Sequence, residues 1–304
     1  MSAAAIRPGT YPPVRERVED RAAPASHAGP VHQDHISCAV VSVPGPDPRA
    51  WLASVQRLEE QGWDTLLLPD TLWTPSPFPA LAAAAAVTSR LRLRTWVLAA
   101  PLRSAAAVVR ETRALQQLSG GRFELGIGSG RPDAEAEAAR LGVPWGSARE
   151  RIRLVEQVAE AVRREVDPAP PVVVTAAGDR MLAAAGRVAD RIGLALPPPA
   201  TEEDLAAMAV RATDAAALGG AGRSVRLTQQ LVGLNGRLPR WLARSGLDAA
   251  ALTAAGAVGM PAGEPEVMAR AIRARCDRFS IDEVVVPAEM ADDFGPVLQR
   301  LSTT

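Results

Sequence analysis

From Ile36 onward the chain alternates short β-branched, apolar runs with longer segments whose apolar residues return every three or four positions. The runs predict strands over residues 36–43, 65–69, 91–98, 123–127, 171–175, 192–196, 225–232 and 283–287. Among the longer segments, Trp51, Leu52, Val55 and Leu58 share one face of a helix that Gly62 ends, and Ile152, Val155, Ala159 and Val162 do the same within a helix over 149–166. Strand and helix in regular alternation require parallel strands, because each return must cross a face of the sheet. Eight such units in residues 36–304 match the roughly 250 residues of a (β/α)8 TIM barrel. An open doubly wound sheet is the second choice. Residues 1–35 show neither period and read as a disordered or loosely docked N-terminal extension, so the chain divides into 1–35 and a single barrel domain, 36–304.

Composition narrows the chemistry. The chain has 304 residues with 34 basic and 34 acidic side chains, and every basic one is arginine. Without lysine there is no Schiff-base, pyridoxal phosphate or lysine-bearing phosphate-loop chemistry. The three histidines (His27, His32, His35) and the one tyrosine (Tyr11) lie in the extension, so a site in the barrel works without any of them. Those histidines read as a solvated tail, and no metal site is expected. Cys38 and Cys276 read as two buried thiols of a cytoplasmic protein. Balanced, dispersed charge leaves no basic stripe for nucleic acid, and no apolar run approaches the roughly 20 residues of a membrane span.

In a barrel the chemistry sits where the strands end. Gly126, Gly128 and Gly130 with Ser129 and Arg131 follow strand four, and Ala176, Ala177, Gly178 and Arg180 follow strand five; both sets read as candidate anion cradles. Asp179 argues against the second set unless its side chain caps the following helix. Trp73 and Trp96, near the ends of strands two and three, suit a planar ligand or simply fill the core. Asp70 is the carboxylate just beyond strand two, a candidate proton donor or a helix cap. With so few proton shuttles, the demanding chemistry falls to a cofactor.

Five stretches carry a resemblance, among them residues 80–93, 170–193 and 263–267. Leu58-Glu59-Glu60-Gln61-Gly62-Trp63-Asp64-Thr65 leading to Pro69-Asp70, and above all Leu118-Ser119-Gly120-Gly121-Arg122-Phe123-Glu124-Leu125-Gly126-Ile127-Gly128-Ser129-Gly130-Arg131, resemble the luciferase-like flavin and deazaflavin oxidoreductases. The resemblance implies a barrel binding coenzyme F420, or alternatively FMN, at the strand ends. It places Asp70 as the acid after strand two and Trp96 with Val97 at a strand-three bulge that often holds a cis peptide. Gly130 and Arg131 fall in the strand-four loop, and Ala177 and Gly178 in the phosphate turn. Thr71 stands where the family has a histidine, and Asp179 adds an acid to the phosphate turn. The family's long excursion before strand five is missing, which opens the substrate side to a bulky molecule.

The resulting expectation is an F420-dependent reductase that delivers hydride to an activated C=C or C=N bond of a small-molecule or peptide natural product, a specialised metabolite. An FMN-dependent monooxygenase and a non-catalytic binding barrel are the alternatives. Neither nucleic acid nor membrane is an expected partner, and the assembly state is left open with a homodimer among the options.

Overall fold

The computed structural model describes residues 35–220 and 224–302. The predicted extension lies outside them except for His35, whose Nε2 meets Asp64 Oδ1 at 3.1 Å.

All eight predicted strands are present: β1 (Ser37–Val41), β2 (Thr65–Leu68), β3 (Arg92–Thr95, resumed past a bulge by Leu98–Ala99), β4 (Phe123–Gly128), β5 (Val172–Ala176), β6 (Arg191–Leu194), β7 (Arg226–Gln230) and β8 (Ile281–Pro287). Each pairs in parallel with its neighbours, and β3 joins β4 through Leu93↔Phe123 and Leu98↔Ile127. The ring therefore closes as a TIM barrel, and the open doubly wound alternative is excluded. The main outer helices are α1 (Pro48–Gln61), α2 (Pro77–Val87), α3 (Ala105–Leu118), α4 (Glu135–Leu141), α5 (Ala148–Glu165), α6 (Asp179–Val188) and α7 (Glu202–Leu218). Between β7 and the last two helices stand the short α8 (Arg240–Ala243) and α9 (Ala249–Ala254), followed by α10 (Pro265–Phe279) and α11 (Ala291–Ser302). As expected, only a short turn separates α5 from β5, but it lies at the N-terminal ends of the strands, beside Arg113 and Gln116 of α3, so its shortness does not open the substrate side; the chain's long excursion follows β7.

The helix boundaries follow from local chemistry. Asp47 accepts from the amides of Arg49 and Ala50 ahead of Pro48, and Gly62 closes α1 at φ +91°, a conformation costly for a residue with a Cβ. Ser147 and Glu150 form a reciprocal capping box on α5.

Strand periodicity sorts the barrel into two unlike faces. Val40, Leu66, Leu68, Leu93, Leu125, Ile127, Val172, Val174, Ile192, Val284 and Val286 belong to the main core formed with the helices. The alternate positions point inward, where only a small apolar group gathers: Ala39, Leu67 and Val285, with Val41 and Trp96 against it. Much of the rest of the interior is ionic. Arg94, fully buried, donates to Glu283 at 2.6 and 2.7 Å and also to Glu124; Thr228 Oγ1 donates to Glu283 at 2.8 Å; Arg191 is paired with Asp282. Burial works against the charges of both Glu124 and Glu283, yet the arginines override it and hold both carboxyls below their ordinary range.

Arg122 and Glu59 serve as staples away from the strand ends. Arg122 donates to the carbonyls of Ser119, Leu91, Ala85 and Thr88, while Glu59 accepts from the amides of Ser89, Arg90 and Leu91. The Ser119-Gly120-Gly121-Arg122 part of the most distinctive motif is thus structural: it ties the end of α2 to β3 and β4.

Candidate active site

The C-terminal strand ends bring Asp70, Trp73, Trp96, Val97 and the loops after β4 and β5 to one end of the barrel. Asp70 is 8% exposed. Both of its oxygens accept from Arg103 in the turn after β3, from Nη2 at 2.7 Å and from Nε at 3.1 Å. Burial lowers the pKa of Arg103, but the hydrogen bond and charge of Asp70 more than offset it. Both carboxylate oxygens are engaged by one guanidinium, so Asp70, expected as a proton donor, stands instead as the anchor of Arg103. It does not cap a helix either, since Ser76 occupies the N-cap of α2.

Trp73 and Arg131 come together as sequence reading did not foresee. The guanidinium lies 4.6 Å from the centre of the indole, and the ring is 68% exposed. Glu137, buried in the first turn of α4, binds Arg131 and accepts from the amide of Leu72 at 3.0 Å. Asp133 also binds Arg131, at 3.1 Å. Arg131 is therefore matched by two carboxylates, and the cation expected to meet an anion instead joins the β2 and β4 loops.

The Trp96–Val97 peptide at the strand-three bulge is cis, as the resemblance implies. The indole of Trp96 turns into the mouth, against Ala39, Leu67 and Val285, and its Nε1 donates to Gln230 Oε1 on β7 at 2.9 Å. A Cβ on Gly193 of β6 would stand 2.9 Å from the ring. Glycines of β4 receive the rest of the bulge: a Cβ on Gly126 would lie 1.8 Å from the carbonyl oxygen of Thr95, and one on Gly128 would lie 3.0 Å from Val97 Cγ2. The amide of Gly126 donates to Thr95 Oγ1 at 3.0 Å. Gly130 has φ +87° and its open side is filled by Trp145, while the Ser129 carbonyl accepts from Arg151 at 3.2 Å. The β4 glycines thus give room to the bulge and to Trp145, which corrects their reading as an open anion cradle.

The turn after β5 is different. Ala176 is buried, whereas Ala177, Gly178, Asp179 and Arg180 are all exposed. Gly178 is the N-cap of α6, where no side chain caps the helix and no Cβ contact would arise within 4 Å. Asp179 does not serve as a cap; it pairs with Arg211 of α7 at 2.9 Å. Arg180 has no acidic partner among the described residues. Uncapped amides, the positive end of a helix and a nearby guanidinium fit a phosphate group.

Arg103, Glu137, Trp145, Gly193 and Gln230 escaped sequence reading. Gln230 alone carried a local signal, since Arg226, Thr228 and Gln230 alternate along β7 with Leu227, Gln229 and Leu231. Among the described residues no group of three or more His, Cys, Asp or Glu gathers to hold a metal ion, and no helix is long and apolar enough to cross a membrane. Cys38 and Cys276 are free and buried, and burial raises both thiol pKa values, that of Cys276 to about 12.

Comparison with known proteins agrees with this architecture. An F420-dependent glucose-6-phosphate dehydrogenase of Beutenbergia cavernae is 40% identical over 113 residues, 34% of this chain and 33% of that protein. The matched stretch thus spans about a third of the relative's length. The coenzyme F420-dependent tetrahydromethanopterin reductase of Methanopyrus kandleri superposes with a TM-score of 0.67 at 16% identity, over 88% of this chain and 98% of the other. The monooxygenase RslO1 of Streptomyces bottropensis superposes with a TM-score of 0.66 at 19% identity, over the same shares of the two chains. At such identities both structures speak for the fold alone. The sequence pattern of the luciferase-like monooxygenases matches residues 23–232, most of the chain, and the protein belongs to that family.

Proposed function

We propose that the protein is a coenzyme F420-dependent reductase acting on a bulky, largely apolar specialised metabolite or peptide natural product in the cytoplasm. The observation that carries this reading is the exposed, uncapped start of α6 with Arg180 beside it, at the same end of the barrel as Trp96. A phosphate held there by the amides after Gly178 and by Arg180 has solvent on its outer side, so a phosphodiester that continues into an acidic tail is accommodated. The local likeness to an F420-dependent dehydrogenase supports the same coenzyme.

Bound coenzyme F420 in its reduced form would supply a hydride to an electrophilic C=C or C=N bond and itself become the oxidised coenzyme. The chain's own part is to bind and orient. Trp96 and Val97 form a firm surface at the mouth, fixed by Gln230 and by the glycines of β4 and β6. Arg103, held by Asp70, presents its charge at the end of β3. Trp73 and Leu72 expose apolar surface on the β2 loop, a feature that suits a large apolar substrate. With Asp70 bound to Arg103 and no lysine, tyrosine or histidine in the barrel, the proton that completes reduction comes from water or from the substrate.

Reduction of enone or imine substrates with reduced F420 carrying deuterium at its hydride carbon tests the reaction type. Deuterium in the product supports the reading; a product containing oxygen from dioxygen overturns it in favour of an FMN monooxygenase.

A further inference from the structure

Gln230 stands at the end of β7, exposed, one strand position beyond the buried Gln229 and in line with Thr228, which faces the barrel interior. Its amide orientation is settled by its neighbour. The indole Nε1 of Trp96 can only donate, so the atom it meets at 2.9 Å must be the amide oxygen of Gln230. The Nε2 group therefore points away from Trp96, and its two N–H donors meet no protein acceptor among the described residues. Directly beside it is the partly exposed indole, packed against Ala39, Leu67 and Val285 below. The result is a flat aromatic surface with a neutral, fixed pair of donors along one edge.

That combination selects its ligand chemically. A planar ring lying over the indole with a carbonyl oxygen at its rim would satisfy the donors and cover the aromatic face at once. A phosphate or carboxylate would gain less here, since the group is uncharged and anions are better served at Arg180. We propose that Gln230 donates a hydrogen bond to a ring carbonyl of the coenzyme's pyrimidinedione edge and so sets the depth and orientation of that ring at the barrel mouth. The assignment rests on the coenzyme reading above and adds a binding residue to it. The carbonyl edge is common to F420 and FMN, so Gln230 orients either ring.

A structural prop and a ligand donor are separated by Gln230→Glu, which keeps an acceptor for Trp96 but replaces the donors with an oxygen. Gln230→Met removes both. Titrations with F420 and with FMN, followed by absorbance in about 0.5 M salt so that the added charge is screened, provide the readout, with melting temperature as the control for folding. The expected result is wild-type melting for both variants, with about tenfold weaker binding of whichever coenzyme the wild type binds and a changed absorption maximum of the bound ring. Wild-type affinity and spectrum in Gln230→Glu, together with weakened binding in Gln230→Met, would show that Gln230 only props Trp96, and would overturn the inference while leaving the coenzyme reading intact. Failure of the wild-type protein to bind either coenzyme overturns both.

Discussion

The indole of Trp96 on β3 lies against Gly193 on β6, so close that a Cβ on the glycine would stand 2.9 Å from the ring edge. One side chain thus reaches from one wall of the barrel to the other and takes a hydrogen bond from neither β3 nor β6 but gives one to Gln230 of β7. The mouth is shaped by this wedge, and the glycines opposite it exist for reasons of space.

Glycines at the strand ends therefore separate into two kinds. At Gly126 a Cβ would collide with backbone, the carbonyl of Thr95, which cannot turn away as a side chain can. Gly126→Ala is expected to destabilise the fold by about 3 kcal/mol or more, at the upper end of overpacking costs. At Gly178 nothing lies within 4 Å, and Gly178→Ala should cost at most about 1 kcal/mol, the loss of a favourable N-cap. Urea denaturation of the two variants measures the contrast.

The ionic interior predicts a pH dependence. Glu124 and Glu283 have lowered folded-state pKa values, because the neighbouring arginines outweigh burial. Their contribution is therefore complete above the unfolded glutamate value of about 4.3 and is lost as pH falls below it. Asp282 works the other way: burial raises its pKa despite Arg191, so its ionisation costs stability as pH rises past about 3.9. Two lowered carboxyls against one raised give a net fall in unfolding free energy between about pH 5 and pH 3. Glu283→Gln should cost about 3–5 kcal/mol at neutral pH by leaving Arg94 underpaired. Denaturant unfolding across that range checks both.

Asp70 and Arg103 should behave as one unit. Their bidentate contact at 2.7 and 3.1 Å is largely shielded from solvent, so Asp70→Asn and Arg103→Gln should each weaken the same turn. A double-mutant cycle on stability is expected to give a coupling of about 1–2 kcal/mol. Additive effects would show that the pair contributes nothing jointly.

At the start of α6, Arg180 and Asp179 should act in opposite directions on an anionic ligand. Arg180→Ala is expected to weaken coenzyme binding about tenfold, about 1.4 kcal/mol. Asp179→Asn removes a like charge and frees Arg211 from its 2.9 Å pair, so it should tighten binding by a few-fold. Affinities of the two variants and the wild type decide the matter, and equal values for all three would remove the phosphate from this turn.

The barrel was legible because the faces that pack against helices carry an unbroken apolar alternation, as in Leu66 and Leu68 or Val172 and Val174. Its interior was not. Arg94, Glu124, Arg191 and Glu283 look in sequence like surface charges, and only closure of the ring brings them together. The same holds at the site. Asp70 was visible, but the partner that changes its chemistry, Arg103, lies 33 residues away. Gly126 and Gly128 were visible as glycines, while the bulge that requires them belongs to another strand. Gly178 and the exposed turn around it needed no distant partner, so local sequence was enough to locate them.

In the proposed function the start of α6 and the Trp96 surface together hold a deazaflavin. Titration of the purified protein with coenzyme F420 and, separately, with FMN, followed by absorbance and coenzyme fluorescence, tests it most directly. Saturable binding of F420 at micromolar concentrations, at least about tenfold tighter than FMN and weakened by Arg180→Ala, is the predicted result. Tighter binding of FMN, or no binding of either coenzyme by the folded protein, would contradict it.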